Sequence, residues 1–157
     1  MLTTGIHHVA TITSDSGRLQ AFYRDAFDAE VLSDGREFPD GTGPRLTVIR
    51  IGPYAELNVF QIEGNTQADV QTPMFGRGRL DHFALQAESI NAFETIRTRL
   101  RACGAADDFV TDFGAVLSIF FRDPDGLEGE VCVINPDHVS GISHPPGTRA
   151  RRYPPES

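Results

Sequence analysis

Asp81-His82-Phe83-Ala84-Leu85-Gln86-Ala87 alternates polar or small side chains with apolar ones, and successive side chains of a strand point to opposite faces. Phe83, Leu85 and Ala87 therefore share a face that must be covered, which leaves His82, Ala84 and Gln86 on the other. Ser89 follows as a helix cap, and Ile90, Phe93, Ile96 and Leu100 recur at helical spacing up to Gly104. Three more strands are predicted beyond the helix: Phe109 to Phe113, Val116 to Phe121 and Gly129 to Ile134. Asp123-Pro124-Asp125-Gly126 makes the turn before the last of them, because Pro presets φ at one turn position and Gly accepts positive φ at another.

The same β-α-β-β-β order stands upstream. Ile6 to Thr13 reads as a strand, Ser14, Asp15 and Ser16 offer capping side chains, and Leu19, Phe22, Tyr23, Ala26 and Phe27 form a helical stripe. Glu30 to Ser33, Arg45 to Ile51 and Leu57 to Ile62 are the strands that follow, with Asp34 to Pro44 as a loop. The halves keep one offset: His8 to His82 is 82 − 8 = 74, and Glu56 to Glu130 is 130 − 56 = 74. Within each half the His-to-Glu spacing is 48 (56 − 8 and 130 − 82). The helices are read as drifting about three residues from that offset, as a loop-length change would allow. Two βαβββ repeats of α+β class, about 5–63 and about 80–136 with a linker at 64–79, should form a curled eight-stranded mixed sheet around a central cavity.

Strand parity sends His8, Glu56, His82 and Glu130 to the open face, because their neighbours on the other parity are apolar. Two imidazoles and two carboxylates suit one divalent ion such as Fe, Mn, Co, Ni or Zn, and an octahedral ion would keep positions open for substrate. Glu56 also reads as a solvated edge carboxylate, and a one-residue slip would exchange His7 for His8; the repeat favours His8. Asp123 and Asp125 read as turn residues, Phe120 and Phe121 as core. Arg50 and Arg122 read as surface charges or as anchors for an anionic substrate.

Gly5-Ile6-His7-His8-Val9-Ala10, Ala21-Phe22-Tyr23, Leu80-Asp81-His82-Phe83-Ala84, and Asp123-Pro124-Asp125-Gly126 followed by Glu130 together resemble the vicinal oxygen chelate superfamily of glyoxalases, bleomycin-resistance proteins and extradiol dioxygenases. The resemblance covers roughly residues 5 to 136. It implies the glyoxalase-like fold and His8, Glu56, His82 and Glu130 as metal ligands. Its first functional implication is a lyase or isomerase that stabilises the enolate of a small oxygenated substrate, with Glu56 or Glu130 as base. Its second is an extradiol-type dioxygenase with a two-His, one-carboxylate Fe(II) site, and its third a metal-free drug-binding protein. It also implies a homodimer.

Composition bounds the alternatives. With 39% hydrophobic and 23% charged residues, the 157-residue chain is expected to fold as one domain over 1–143. A formal charge of -8 and a pI near 5.0 argue against nucleic acid as a partner. No window approaches membrane-spanning length and the N-terminus lacks a signal pattern, so a cytoplasmic location without membrane partners is expected. Two cysteines, Cys103 and Cys132, are too few for a disulfide scaffold and read as small buried hydrophobes. Residues 144–157, with four prolines and three arginines, read as an extended or disordered arm.

Overall fold

A computed structural model describes residues 2, 5–36, 38, 40–65, 80–106 and 109–138, together with the backbone of 151–152. The chain divides into two compact units, one of residues 1–71 with 124–126, the other of residues 72–123 with 127–157. Most of the expected linker at 64–79, and most of the arm, lie outside the described residues.

In the first unit the order is β1 (His8–Thr13), α1 (Ser16–Phe27), β2 (Glu30–Arg36), β3 (Arg45–Gly52) and β4 (Ala55–Gln61). The strands form one mixed sheet in the order β1-β4-β3-β2, with β1 and β4 parallel and the other pairs antiparallel. Asp15 caps α1 by accepting from the Arg18 amide, and Asp28 ends it in the left-handed region at φ 55°. Leu19, Tyr23 and Ala26 bury the helix stripe against Ile49, Leu57 and Val59 of the sheet, while Phe22 and Phe27 remain half-buried.

The second unit contains β5 (Phe83–Gln86), α2 (Ile90–Ala102), β6 (Thr111–Asp112), β7 (Val116–Arg122) and β8 (Glu128–Ile134). Its sheet runs β5-β8-β7-β6-β9, again with one parallel pair, β5 and β8. The added strand β9 (Arg151–Arg152) lies antiparallel to β6 and comes from the expected arm. Ser89 caps α2, and Gly104, at φ 72°, follows its end as expected. The eight expected strands are all present, and hydrogen bonding sorts them into two open sheets.

The helices do not drift. Their caps stand 89 − 15 = 74 apart, and the buried pairs Leu19 with Phe93 and Ala26 with Leu100 keep the same spacing. The apolar stripes look displaced because their half-buried members differ, Phe22 and Phe27 on α1 against Ile90 and Ile96 on α2. The irregularity sits in the parallel ladders instead. His8 faces Glu56, a spacing of 48, but Glu130 faces Ala84, a spacing of 130 − 84 = 46. A slip of two residues keeps every side chain on its face.

Candidate metal centre

Alternation along β1 and β4 fixes the first pair of donors. Leu57 and Val59 are buried under α1, so Glu56, Asn58 and Phe60 take the opposite face together with His8, Ala10 and Ile12. His8 and Glu56 are direct ladder partners there, and the Glu56 amide donates to the His7 carbonyl at 3.0 Å. The Glu56 carboxylate, half-buried, has no side-chain partner among the described residues. It borders a cavity of about 290 Å³ also lined by Gly5, His7 and Tyr54.

Two neighbours shape this pair. His7 is exposed, and its Nδ1 lies 3.0 Å from Nδ1 of His8, so one of these nitrogens donates to the other. Asn58, two residues along from Glu56, buries its Oδ1 without a hydrogen-bond partner among the described residues. An unpaired buried acceptor costs free energy, on the order of 1–3 kcal/mol, unless a ligand donates to it. Arg50 faces Glu56 across β3 and β4, but its guanidinium bonds Glu30 at 3.0 Å.

The second pair is in contact. His82 Nε2 lies 3.5 Å from Oε2 of Glu130, and His82 Nδ1 lies 2.8 Å from Oδ2 of Asp81. A carboxylate can only accept, so Nδ1 of His82 donates to Asp81, while Nε2 faces Glu130 at the longer distance of 3.5 Å. Glu130 is buried and accepts from the Ser118 hydroxyl on the adjacent strand. Phe120 is half-buried rather than core, and its ring packs edge-on against His82 at 5.6 Å between centroids; Phe121 is core as expected.

Cys132 shares this face and is half-buried. Burial, then the Glu130 charge, then a hydrogen bond with Glu130 push its thiol up to about 12. A cavity of about 430 Å³ in the same unit is lined by Phe109, Phe120, Arg122 and Glu128 among others. Arg122 Nε is 3.6 Å from the buried Glu128.

The structure thus brings together the expected donors two by two, one His and one Glu in each unit. Among the described residues no group of three or more His, Cys, Asp or Glu side chains forms a metal cage. The pairs still suit a divalent ion chemically: carboxylate with imidazole, an imidazole already ordered through its far nitrogen, and, among the described residues, no Arg or Lys paired with Glu56 or Glu130. Sequence reasoning missed Asp81 and Ser118. Asp81 adjoins His82, and Ser118 has the parity of Phe120 on β7, so adjacency and parity are the signals that could have found them.

Asp125 is more than a turn residue. It is buried in the first unit, accepting from the Thr13 hydroxyl at 2.5 Å and from Arg18 Nη2 at 2.7 Å. Asp123 closes its own hairpin, accepting from the Leu127 amide at 2.9 Å.

The sequence pattern of the Glyoxalase/Bleomycin resistance protein/Dioxygenase superfamily matches residues 5–131, and the chain belongs to that superfamily. Among solved structures it is similar to a glyoxylase/bleomycin resistance protein/dioxygenase domain from Frankia sp. EAN1pec, at 21% identity and TM-score 0.69, covering 87% of this chain and 96% of that one. A glyoxalase family protein from Enterococcus faecalis matches at 27% identity and TM-score 0.63, covering 84% and 99%. The fosfomycin resistance protein FosX from Listeria monocytogenes, solved with Mn(II) and sulfate, matches at 17% identity and TM-score 0.62, covering 87% and 98%. No curated protein matches the chain. Among the described residues no helix is long and apolar enough to cross a membrane.

Proposed function

We propose that this chain is a metal-dependent enzyme, a glyoxalase-like lyase or isomerase acting on a small molecule with two neighbouring oxygens. His8, Glu56, His82 and Glu130 hold one divalent ion, of Fe, Mn, Co, Ni or Zn type. The observation that carries this reading is the matched pair of donors, His8 across from Glu56 and His82 in contact with Glu130. The Mn(II) bound by the fosfomycin resistance protein of the same fold supports it. When bound, such an ion supplies a Lewis-acidic centre that polarises adjacent substrate oxygens.

The two glutamates divide the work. Glu130 is buried, hydrogen-bonded by Ser118 and set against His82, which suits a fixed ligand. Glu56 is less tied, and it borders a cavity. Its carboxylate oxygen takes the proton from a carbon beside a carbonyl and returns it to the product. Asn58 Oδ1 accepts from a substrate hydroxyl on the same face. Glu56, without a side-chain partner among the described residues, also favours one second reading, an extradiol-type dioxygenase in which His8, His82 and Glu130 alone hold Fe(II).

Metal analysis of the purified protein, with His82→Ala beside it, tests the metal centre. About one divalent ion per chain is expected, lost in the variant while the fold persists, because His82 faces away from the core. Full occupancy in His82→Ala would overturn the assignment. A homodimer is part of the same reading, since the sheets end in edge strands at β1, β2, β5 and β9. Light scattering that returns a 17.2 kDa monomer would contradict it.

A further inference from the structure

Each histidine of the proposed site is preceded by a residue that touches its Nδ1, and the two stand at the repeat offset, 81 − 7 = 74. The partners differ in kind. Asp81 offers a carboxylate, which can only accept, while His7 offers an imidazole, which can donate or accept. We propose that Asp81 is a positioning residue that locks His82 in the Nδ1–H tautomer and presents Nε2 as a preset donor, whereas His7 leaves the tautomer of His8 adaptable. The metal-binding consequence rests on the reading above; the tautomer itself does not.

Geometry and chemistry support the asymmetry. The Asp81 contact is 2.8 Å, a charge-assisted length, and both side chains are partly shielded, at 31% and 28% exposure. The Phe120 ring edge on His82 further limits rotation of the imidazole. His7 and His8 are both exposed, so water competes for their shared hydrogen bond. A carboxylate on the far nitrogen also enriches electron density on the coordinating one, which neutral imidazole does less.

Nitrogen-15 NMR of the histidine rings, on metal-free protein at a pH well above the ordinary imidazole range, reads the tautomer directly. Wild type should show His82 protonated at Nδ1 alone, assigned by comparison with His82→Gln. Asp81→Ala should move it to a mixture, and Asp81→Asn, whose amide oxygen still accepts, should restore it. Mn(II) titration should then show binding weakened about 10- to 100-fold in Asp81→Ala and less in Asp81→Asn. An unchanged His82 tautomer in folded Asp81→Ala would overturn the proposal, as would unweakened Mn(II) binding in that variant. If the tautomer switches as expected but wild type itself binds no metal, the positioning role stands and the metal reading falls.

Discussion

His8 faces Glu56 squarely across the β1–β4 ladder, whereas His82 reaches Glu130 diagonally, from two residues ahead of Ala84, the ladder partner of Glu130. One repeat therefore places its imidazole and carboxylate side by side, and the other tilts the imidazole along the strand. Asp81 and Phe120 hold that tilt on the second side. Among the described residues no hydroxyl donates to Glu56 as Ser118 does to Glu130, and this difference bears on which glutamate moves.

Glu56→Gln should separate binding from proton transfer. The amide keeps size and face but cannot take a proton, so turnover with an active substrate should fall by about 10²–10⁴. Metal binding should weaken as well, because one of the four proposed donors loses its charge. If metal affinity is unchanged and the protein oxidises catechols, Glu56 is no ligand and the dioxygenase reading gains. Steady-state rates and a metal titration on one preparation decide this.

Gly129 faces Phe121 across β7 and β8, and a Cβ there would lie 2.2 Å from Phe121 Cζ. No side chain is tolerated at that approach without moving a buried ring. Gly129→Ala should destabilise the protein by about 1–3 kcal/mol, the usual cost of overpacking. Adding Phe121→Leu should recover part of the loss. Urea denaturation of the three proteins measures it, and an unaffected single variant would show that the ring yields freely.

Much of the architecture is legible in the sequence because its signals are local. The caps Asp15 and Ser89, the helix faces through Leu19 and Phe93, and the parity of His82 against Phe83 depend only on spacing. The two-residue slip between ladders is not local. The register of a parallel pair depends on how the crossover helix packs, so identical His-to-Glu spacings of 48 could not reveal that the paired residues differ. Asp125 escaped for a similar reason: Asp-Pro-Asp-Gly announces a turn, but burial against Thr13, Ser14 and Arg18 joins residues more than a hundred positions apart.

The two thiols should differ in reactivity. Cys103 is exposed at the end of α2, while Cys132 is held up to about 12 by burial and the Glu130 charge. At about pH 8 the thiolate is the reactive form, so native protein should label at Cys103 and spare Cys132. Peptide mapping after maleimide treatment identifies the site. The shift also has a stability consequence with a definite sign. The folded thiol titrates above its ordinary value of 9.0, so the contribution is present below that pH and is lost as pH rises from there toward about 12. Cys132→Ser should flatten that alkaline loss.

Asp125 ties the turn to the start of α1, and its own carboxylate, not the arginine, should dominate the stability. Its side chain is 3% exposed and takes bonds from Thr13 Oγ1 and Arg18 Nη2, whereas the Arg18 side chain is 45% exposed. Removing Asp125 leaves the Thr13 hydroxyl buried without its acceptor, a cost of about 1–3 kcal/mol. Removing Arg18 frees a group that water can replace on its outer side, but leaves Asp125 with the hydroxyls of Thr13 and Ser14. Asp125→Ala should therefore destabilise more than Arg18→Ala, and Asp125→Asn should fall between, keeping an acceptor for Thr13 without the charge. Urea midpoints for the three variants test the order, and Arg18→Ala proving the most damaging would show that the ion pair, not the buried acceptor, holds the turn.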